Sequence, residues 1–541
     1  MIEPLFVRKA AERHEWWRGA VIYQIYPRSF ADTNGDGIGD LPGITAHLDY
    51  VASLGVDAIW ISPFFTSPMK DFGYDVVDYC AVDPIFGTLA DFDSLIARAH
   101  SLGLKVLIDQ VYAHTSDQHE WFSQSRASCS NERADWYVWA DPKVDGTPPN
   151  NWQSVFGGPA WTWDARRGQY FMHNFLSSQP QLNVHLPAVQ DALINVARFW
   201  LERGVDGFRL DAINFAMFDT ALTDNPVAPR SNRRRSRSSD FQLSQHNMSH
   251  PDIPLFLERL RALIDSYPDR FTVAEVGGDH AEREMKSFTQ GNSRLNSAYG
   301  FNFLYASKLT PALVSETIDE WPDEPGMGWP SWAFENHDAP RALSRWSKPG
   351  DAAAFAQLKM LLLMCLRGNI FVYYGEELAL RQVEIAFEDL VDPEAIVNWP
   401  LTLSRDGART PMPWARDEIG AGFTTGRPWL PIDAENRAKA VDTQVENEDS
   451  ILALTKRLIA FRRSSEALRW GSCRVTEASD DLLAFERIDA EQALVCVFNF
   501  SGSAREWAPA QPDRWQISQA VNGASAWLLP PFGGLIAERI A

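Results

Sequence analysis

Short apolar runs alternate with longer amphipathic stretches between residues 20 and 377, which is the pattern of parallel strands joined by helices. Eight runs have strand character: 21–26, 56–62, 105–111, 205–211, 271–276, 298–303, 332–336 and 369–375. Between several of them apolar residues recur every three or four positions, which predicts helices over 188–203, 253–267 and 352–367. Eight strand-and-helix units predict an α/β fold, the closed (β/α)8 TIM barrel.

The alternation is interrupted twice and then ends. Residues 112–183 are rich in Trp, Pro, Gly and Asn and have no long helical period, so we expect an inserted domain after the third strand. A second irregular region, 376–448, follows the eighth strand and precedes a predicted helix over 451–465. Short alternating runs at 482–488, 493–500 and 526–529 predict an antiparallel β domain. The predicted division is barrel over 1–111, inserted domain over 112–183, remaining barrel with an insert after strand 8 over 184–465, and C-terminal β domain over 466–541.

The length and the charge of the chain narrow the choice of partners. A chain of 541 residues exceeds the size of a single hydrophobic core, so several domains are expected. The formal charge is -21, from 71 acidic and 50 basic residues, and it repels phosphate backbones and anionic lipids. We therefore expect neither nucleic acid nor membrane as a partner. The basic run over 230–237 is interpreted as a solvated loop rather than a local nucleic-acid patch, because its surroundings are acidic.

Cysteine usage and the N-terminal segment predict the compartment. The cysteines are scattered, odd in number and form no C-x-x-C pair, so we expect reduced thiols: Cys80, Cys129, Cys365, Cys473 and Cys496. Charges are interspersed through residues 1–19, without the apolar run of a signal peptide, and no later segment resembles a membrane span. A cytoplasmic protein is the prediction.

Polar residues at the ends of the predicted strands are the first candidates for chemistry, because barrel active sites lie at the C-terminal ends of the strands. The fourth run ends with Arg209 and Asp211, which a strand places on one face. The arginine is expected to lower the pKa of the carboxylate and keep it ionised, as a nucleophile requires, although a structural ion pair explains the same pattern. The fifth run ends at Glu275 in apolar surroundings, which suits a general acid.

Other strand ends add to this group, with polar residues at 71–75, at Asp109 and His114, and at 335–338. Any one of them could be a capped turn, but their joint placement favours a site. Carboxylates, aromatic residues and histidines without metal-binding spacing or a phosphate-binding glycine loop suit a neutral, polyhydroxylated substrate. In retaining sugar hydrolysis the two carboxylates lie about 5 to 5.5 Å apart, a spacing that Asp211 and Glu275 on adjacent strands could meet.

Four motifs carry a family resemblance. They are Gln179-Pro180-Gln181-Leu182-Asn183, Gly207-Phe208-Arg209-Leu210-Asp211, Asn336-His337-Asp338 and Ala408-Arg409-Thr410-Pro411-Met412-Pro413-Trp414. With these motifs in this order, the chain resembles glycoside hydrolase family 13, the α-amylase family, and within it the α-glucosidase and oligo-1,6-glucosidase branch. The resemblance extends over essentially the whole length.

The resemblance implies roles for individual residues. It implies that Asp211 is the nucleophile, Glu275 the acid/base, and Asp338 a third carboxylate that holds sugar hydroxyls. It also implies substrate contacts: Tyr74 as a stacking platform, His114 and His337 as hydroxyl ligands, Arg209 beside the nucleophile, Asp71 with Arg409 as a grip on the non-reducing glucose, and Phe156 and Phe175 as pocket lining. For these two phenylalanines, simple packing is an equal alternative.

Two departures from the family pattern concern calcium. Ala113 replaces the usual Asn and Gln181 the usual Asp at positions that serve a calcium site in α-amylases, so we expect that site to be absent. A separate loop over 32–40 has oxygen ligands at alternate positions, as calcium loops do, although Gly43 stands where an EF-hand needs Glu. Relatives bind calcium or magnesium at such a loop, which implies a structural metal with the ligands Asp32, Asn34, Asp36, the carbonyl of Ile38, and Asp40. A plain Asp/Gly turn is the alternative, and no cofactor is expected for catalysis.

The function implied by the resemblance is that of an exo-acting retaining α-glucosidase that releases terminal α-linked glucose through a glucosyl-enzyme on Asp211, with transglucosylation. Ala212, where relatives that prefer α-1,6 bonds have Val, predicts a preference for maltose-type α-1,4 bonds or sucrose. The alternatives are a sucrose-converting isomerase and a dedicated α-glucosyltransferase. A non-enzymatic protein resembling transporter heavy chains, or a carbohydrate-binding module alone, is disfavoured because the three carboxylates are present.

Overall fold

A computed structural model describes residues 15–230, 235–322, 324, 326–402 and 404–540. Eight parallel strands form a closed barrel: β1 (Val21–Ile25), β2 (Ala58–Ile61), β3 (Lys105–Val111), β4 (Gly207–Asp211), β5 (Phe271–Glu275), β6 (Ser297–Tyr299), β7 (Trp329–Ala333) and β8 (Asn369–Tyr373). Each strand pairs with its neighbours in sequence, and β8 pairs with β1 to close the barrel. The predicted (β/α)8 TIM barrel is confirmed.

The sixth and seventh strands differ from the predicted runs. β6 has only three residues, and β7 begins three residues before the predicted run and ends at Ala333. Pro330 lies inside β7, where a residue without a backbone N–H is unusual. The predicted strand therefore began only after this proline. Beyond the strand, the Glu335 carboxylate accepts the N–H of Ala342, and the Asn336 side chain accepts the N–H of Asp338. Residues 335–338 therefore form a turn and do not continue the strand.

The interior of the barrel positions the site. Alternate residues of the strands fill it, among them Ile22, Trp60, Leu107, Phe271 and Phe371, while the residues between them pack against the surrounding helices. Continuing the same alternation upward places Asp109, Asp211 and Glu275 on the inner face at the C-terminal ends of β3, β4 and β5.

Helices lie between the barrel strands and in the long connections. The α-helices are Leu41–Ala46, Leu48–Ser53, Leu89–Ser101, Glu120–Ala127, Pro187–Glu202, Ile253–Ile264, Ala281–Thr289, Pro311–Asp319, Ala342–Trp346, Ala352–Cys365, Pro393–Asn398, Ala434–Arg437, Val441–Gln444, Ile451–Ser464 and Glu466–Trp470. The four predicted helices are found with shifts of one to three residues at their ends. Among the described residues, none of these helices has the length and apolar character needed to cross a membrane.

Four smaller sheets lie outside the barrel in the described part of the chain, and two of them have only two strands: Phe65–Thr66 with Asp78–Val82, and Arg505–Glu506 with Leu528–Leu529. The segment after β3 contains an antiparallel sheet of Trp139–Ala140, Gln169–Met172 and Trp161–Asp164 around the buried Trp152. The C-terminal part forms an antiparallel sheet in the order β9-β10-β11-β13-β12, where the strands are β9 (Ser472–Ala478), β10 (Leu482–Ile488), β11 (Ala493–Asn499), β12 (Trp515–Val521) and β13 (Gly534–Arg539). The inserted and C-terminal β domains are thus confirmed as parts of the fold, while the exact domain boundaries stay predictions. The basic run over 230–237 lies partly outside the described residues.

Candidate active site

A single buried arginine joins the carboxylates at the top of the barrel. Arg209 on β4 has no exposed surface, and its Nη1 lies 2.6 Å from both Asp109 Oδ1 and Asp211 Oδ1. Its Nη2 lies 2.6 Å from Glu275 Oε2 on the neighbouring strand β5. The two predicted catalytic carboxylates, Asp211 and Glu275, therefore contact the same guanidinium from adjacent strands.

Glu275 has two further hydrogen-bond donors. The Tyr299 hydroxyl lies 3.2 Å from its Oε1, and the backbone N–H of Ala212 lies 3.3 Å from its Oε2. Ala212 follows Asp211 directly and has a left-handed backbone, with φ of 37°, which is uncommon for a residue other than glycine. This turn at the end of β4 is what directs the N–H towards Glu275.

Burial raises the pKa of both carboxylates. The pKa of Asp211 rises to about 7, because burial and the neighbouring Asp109 outweigh the opposing effect of Arg209. The pKa of Glu275 also rises to about 7, through burial and through the charge of Asp211, again against Arg209. The expectation that Arg209 holds the pKa of Asp211 low is wrong in its net sign, since one guanidinium faces three buried carboxylates. Near neutral pH the pair of Asp211 and Glu275 can hold one proton between them.

Asp338 lies at the same end of the barrel, in the turn after β7, and its side chain is 25% exposed. Its Oδ1 accepts hydrogen bonds from Arg409 Nη2 at 2.7 Å and Arg405 Nη1 at 3.3 Å. Burial opposes ionisation, but His337, whose Nε2 lies 3.1 Å from Oδ2 and can donate to it without being charged, and these two arginines outweigh it and hold the pKa of Asp338 below its ordinary value. Asp338 is therefore the permanently ionised carboxylate of the site.

His337 is neutral and held in place by Tyr74. The two rings are stacked, with centroids 5.4 Å apart and an interplanar angle of 3°, and the Tyr74 hydroxyl lies 2.6 Å from His337 Nε2. The side-chain amide of Gln24 lies 2.8 Å from His337 Nδ1, so this nitrogen accepts and Nε2 carries the proton, 3.1 Å from Asp338 Oδ2. Burial lowers the pKa of His337 to about 3.

His114 and the two predicted phenylalanines line the side that the inserted domain covers. His114 Nε2 lies 3.0 Å from the Tyr74 carbonyl, and burial lowers the pKa of the ring to about 4. Phe175 packs on His114 at 5.2 Å between centroids, and Phe156 packs on Phe175 at 5.6 Å. The structure thus brings these residues together with Tyr74.

Asp71 pairs with a different arginine from the predicted one. Arg405 Nη2 lies 3.0 Å from Asp71 Oδ1 and 2.8 Å from the buried Asp392, while its Nη1 reaches Asp338. Arg409 instead donates to Asp338 and, through Nε at 2.7 Å, to the carbonyl of His337. Asp71 therefore bonds directly to Arg405, and Arg409 lies beside Asp338, while the expected grip of Asp71 and Arg409 on a glucose stays a prediction.

Arg405 is the functional residue that the sequence reasoning missed. It lies four residues before Arg409, at the start of the 3-10 helix Arg405–Ala408, and the guanidinium carbon stands 5.0 Å from the ring centroid of Phe156. A second arginine about one helical turn before the motif arginine was the available signal.

Comparisons with known proteins agree with this geometry. A family model described as the catalytic domain of alpha amylase matches residues 24–471. The chain belongs to the α-amylase family. A probable alpha-glucosidase of Rhizobium meliloti (strain 1021) is 52% identical over 497 residues, which cover 91% of this chain and 90% of that protein. An oligo-1,6-glucosidase of Parageobacillus thermoglucosidasius is 35% identical over 517 residues, 90% of each chain. The crystal structure of the alpha-glucosyl transfer enzyme XgtA superposes with a TM-score of 0.92 at 49% identity, over 97% of this chain and 99% of that one.

In this α-amylase family member, the loop over 32–40 is held by its own side chains. Asp32 Oδ1 accepts the N–H groups of Asn34 and Gly35, and Asp36 Oδ1 accepts that of Ile38. Asp40 is buried and accepts from Thr33 and, as the N-cap of helix Leu41–Ala46, from Gly43. Asn34 and Asp36 are exposed, so their oxygen atoms are accessible to a hard cation, whereas Asp32 accepts from four donors and Asp40 from three.

A chain of amides occupies the junction where the α-amylases have calcium ligands. Gln181 Oε1 accepts from Asn174 Nδ2 at 2.9 Å, and Gln181 Nε2 donates to the carbonyl of Phe215 at 2.8 Å. Asn247 Nδ2 donates to Asn174 Oδ1 at 2.9 Å, and Asn225 donates to Asn247. These neutral side chains connect the inserted domain with the loop that follows β4.

Proposed function

We propose that this chain is an exo-acting retaining α-glucosidase that releases terminal α-linked glucose from short substrates. The observation that carries the proposal is the contact of both Asp211 and Glu275 with Arg209, opposite the ionised Asp338. In the first step an Asp211 oxygen bonds to the anomeric carbon while the glycosidic bond breaks and the Glu275 proton moves to the leaving oxygen. In the second step Glu275 takes a proton from water, whose oxygen displaces Asp211 and releases glucose.

The other groups bind one glucose and close the pocket. Asp338, fixed by Arg409, is placed to accept hydrogen bonds from sugar hydroxyls and to stabilise the positive charge that develops at the ring. Tyr74 offers an aromatic face, and His114 and His337 are neutral rings that suit hydroxyl contacts. The pair of Asp71 and Arg405 blocks the inner end, which favours release of a single terminal unit.

The assignment of the carboxylates is tested by substitution. Asp211→Asn should abolish turnover while the fold persists, because the nucleophile is lost and the volume is kept. Glu275→Gln should reduce hydrolysis of maltose more than that of an activated aryl α-glucoside, since the aryl leaving group needs less protonation. Initial rates and circular dichroism of both variants check this, and near-wild-type turnover by Asp211→Asn would contradict the mechanism.

Transfer to a sugar or alcohol acceptor is the second candidate outcome. A relative that shares 49% of aligned positions is named an alpha-glucosyl transfer enzyme, and the glucosyl-enzyme on Asp211 can be attacked by any hydroxyl that enters the pocket. Product analysis with maltose or sucrose at high acceptor concentration separates the possibilities. Free glucose indicates hydrolysis, a glucosylated acceptor indicates a transferase, and an isomer of sucrose indicates isomerisation.

Substrate linkage is proposed from the residue after the nucleophile. Ala212 presents only a methyl group and favours maltose or sucrose over isomaltose. Isomaltose as the best substrate in a disaccharide panel contradicts this preference.

We further propose that the loop over 32–40 binds calcium or magnesium as a structural ion. Asp32, Asn34, Asp36 and the carbonyl of Ile38 supply exposed or partly exposed oxygens, and Asp40 adds negative charge at the base of the loop. An ion there would stabilise the connection between β1 and helix Leu41–Ala46 and takes no part in the chemistry.

A further inference from the structure

A cluster of metal-ligating side chains shares no residue with the sugar pocket. His185, His250 and Asp252 place one ligand atom each within 4.8 Å of one another. In the described part of the chain this is the group of histidine, cysteine and carboxylate side chains that meets this spacing. Two imidazoles and one carboxylate form a ligand set that zinc and its neighbours prefer over calcium or magnesium.

The hydrogen bonding of His185 leaves one nitrogen ready to bind a metal. Its Nε2 lies 2.8 Å from the carbonyl of Phe218, and because a carbonyl only accepts, Nε2 carries the proton. Nδ1 is then unprotonated and holds a free lone pair. Histidines that bind metals usually donate their other ring N–H to such a carbonyl, which fixes the ring and its tautomer.

His250 and Asp252 provide the remaining two ligands. The rings of His185 and His250 lie 4.8 Å apart at 89°, and His250 Nδ1 lies 3.8 Å from Asp252 Oδ2. Two ligands of a tetrahedral zinc ion are about 3.4 Å apart, so a small closure of this pair suffices. The lone pair of His250 Nδ1 points to this side, where it accepts the N–H of Asp252 at 3.2 Å, and a bound metal would replace this hydrogen bond. The Asp252 side chain is 57% exposed, which leaves a path for the ion and a position for water.

We propose that His185, His250 and Asp252 form a binding site for a transition-metal ion of the zinc class. The ion would connect the start of helix Pro187–Glu202, before β4, with the end of the long loop after β4. Ser249, next to His250, donates its N–H to the carbonyl of Asn214 at 2.6 Å, and Asn214 Nδ2 donates to the carbonyl of Gly277 at 2.7 Å. Metal binding therefore stabilises the loop that joins the strand ends of the nucleophile and the acid/base.

The test is calorimetric titration of the full chain with ZnCl2 after treatment with a chelator and dialysis. Excess magnesium fills the loop over 32–40, and a Cys129→Ser background removes the exposed thiol as a competing ligand. The variants His185→Gln and Asp252→Asn are compared with His246→Gln, a histidine of the same loop that pairs with Asp219 and lies outside the cluster. Circular dichroism verifies the fold of each variant.

We expect one zinc per chain and an increase in Tm on zinc addition. His185→Gln and Asp252→Asn should weaken the zinc Kd by about tenfold or more, whereas His246→Gln should leave it unchanged. With CoCl2, the parent protein should give the intense visible absorption of a four-coordinate ion, and His185→Gln should not. The proposal is overturned if the parent protein binds no zinc, or if Asp252→Asn binds zinc with the same Kd as the parent protein. It is also overturned if only His246→Gln loses zinc binding. If His185→Gln does not fold, the test rests on the zinc Kd of Asp252→Asn, because the side chain of Asp252 is exposed.

Discussion

The contact between Asp71 and Arg405 gives the sharpest test of the sugar-binding site. Arg405 Nη2 lies 3.0 Å from Asp71 Oδ1, and both side chains are almost fully buried. Burial raises the pKa of Asp71, and Arg405 is the largest opposing influence. Arg409 makes its hydrogen bonds to Asp338 and to a carbonyl instead. Arg409 also lowers the pKa of Asp71, but less than Arg405 does, so Asp71 should be coupled more strongly to Arg405 than to Arg409.

The size of the coupling follows from the charged hydrogen bond. Such a bond contributes about 1.5–3 kcal/mol, and the loss of one of that strength between either residue and the sugar lowers kcat/KM by roughly 10- to 150-fold. In Arg405→Gln the carboxylates of Asp71 and Asp392 also lose their counter-charge, and leaving buried charges unpaired costs about 3–5 kcal/mol of stability. Because Asp71→Asn already removes one end of the bond, the double variant should be about 1.5–3 kcal/mol less impaired than the sum of the two single variants.

The assay is a double-mutant cycle on kcat/KM for maltose. One cycle combines Asp71→Asn with Arg405→Gln, and the matched cycle combines Asp71→Asn with Arg409→Gln. Thermal melts fix an assay temperature at which all variants are folded. The second cycle should give a smaller coupling than the first, since Asp71 and Arg409 form no direct hydrogen bond and Arg409 lowers the pKa of Asp71 less than Arg405 does. Stronger coupling of Asp71 to Arg409 than to Arg405 would refute the pairing of Asp71 with Arg405.

Two further predictions concern pH and metal. The kcat/KM for an aryl α-glucoside should follow a bell with its maximum near pH 7, because Asp211 must be ionised, Glu275 must be protonated, and each has a pKa of about 7. Activity falls below this pH as Asp211 gains a proton and above it as Glu275 loses one. In Glu275→Gln the activity should therefore no longer fall at alkaline pH. A flat profile of the parent protein from pH 5 to 9 contradicts the assignment. Chelation should lower the Tm of the parent protein, and calcium should raise it again. In Asp36→Asn calcium should no longer raise the Tm, and a parent protein whose Tm does not respond to calcium indicates a plain turn.

The barrel was predictable because its strands are buried on both faces and therefore read as apolar runs. The strands that were not predicted, or were predicted with wrong bounds, can be explained physically. β6 is only three residues long, and Pro330 marks a turn more often than the interior of a strand such as β7. β9 and β12 are half exposed, with side chains that alternate weakly in polarity, so their sequences carry little strand signal.

The carboxylates were predictable from their places at strand ends, but their environment was not. Asp71 and Arg405 are separated by 334 residues, and only the folding of the insert after β8 over the barrel brings them together. The net pKa of Asp211 depends on how many buried carboxylates share Arg209. The sequence places Asp211 beside this arginine on one strand, whereas the contacts with Asp109 and Glu275 come from two other strands.

In the proposed mechanism, Tyr299 explains how Glu275 can serve as acid in one step and base in the next. Its hydroxyl oxygen lies 3.2 Å from Glu275 Oε1 and accepts a hydrogen bond from Arg209 Nε at 3.1 Å. A hydroxyl can donate to an ionised carboxylate or accept from a protonated one, so this contact survives proton transfer. Arg209 and the N–H of Ala212, by contrast, only donate, and both favour the ionised form of Glu275. Burial favours the protonated form, and the balance between these effects keeps the pKa of Glu275 near 7, where the proton is released and regained at little cost within one cycle.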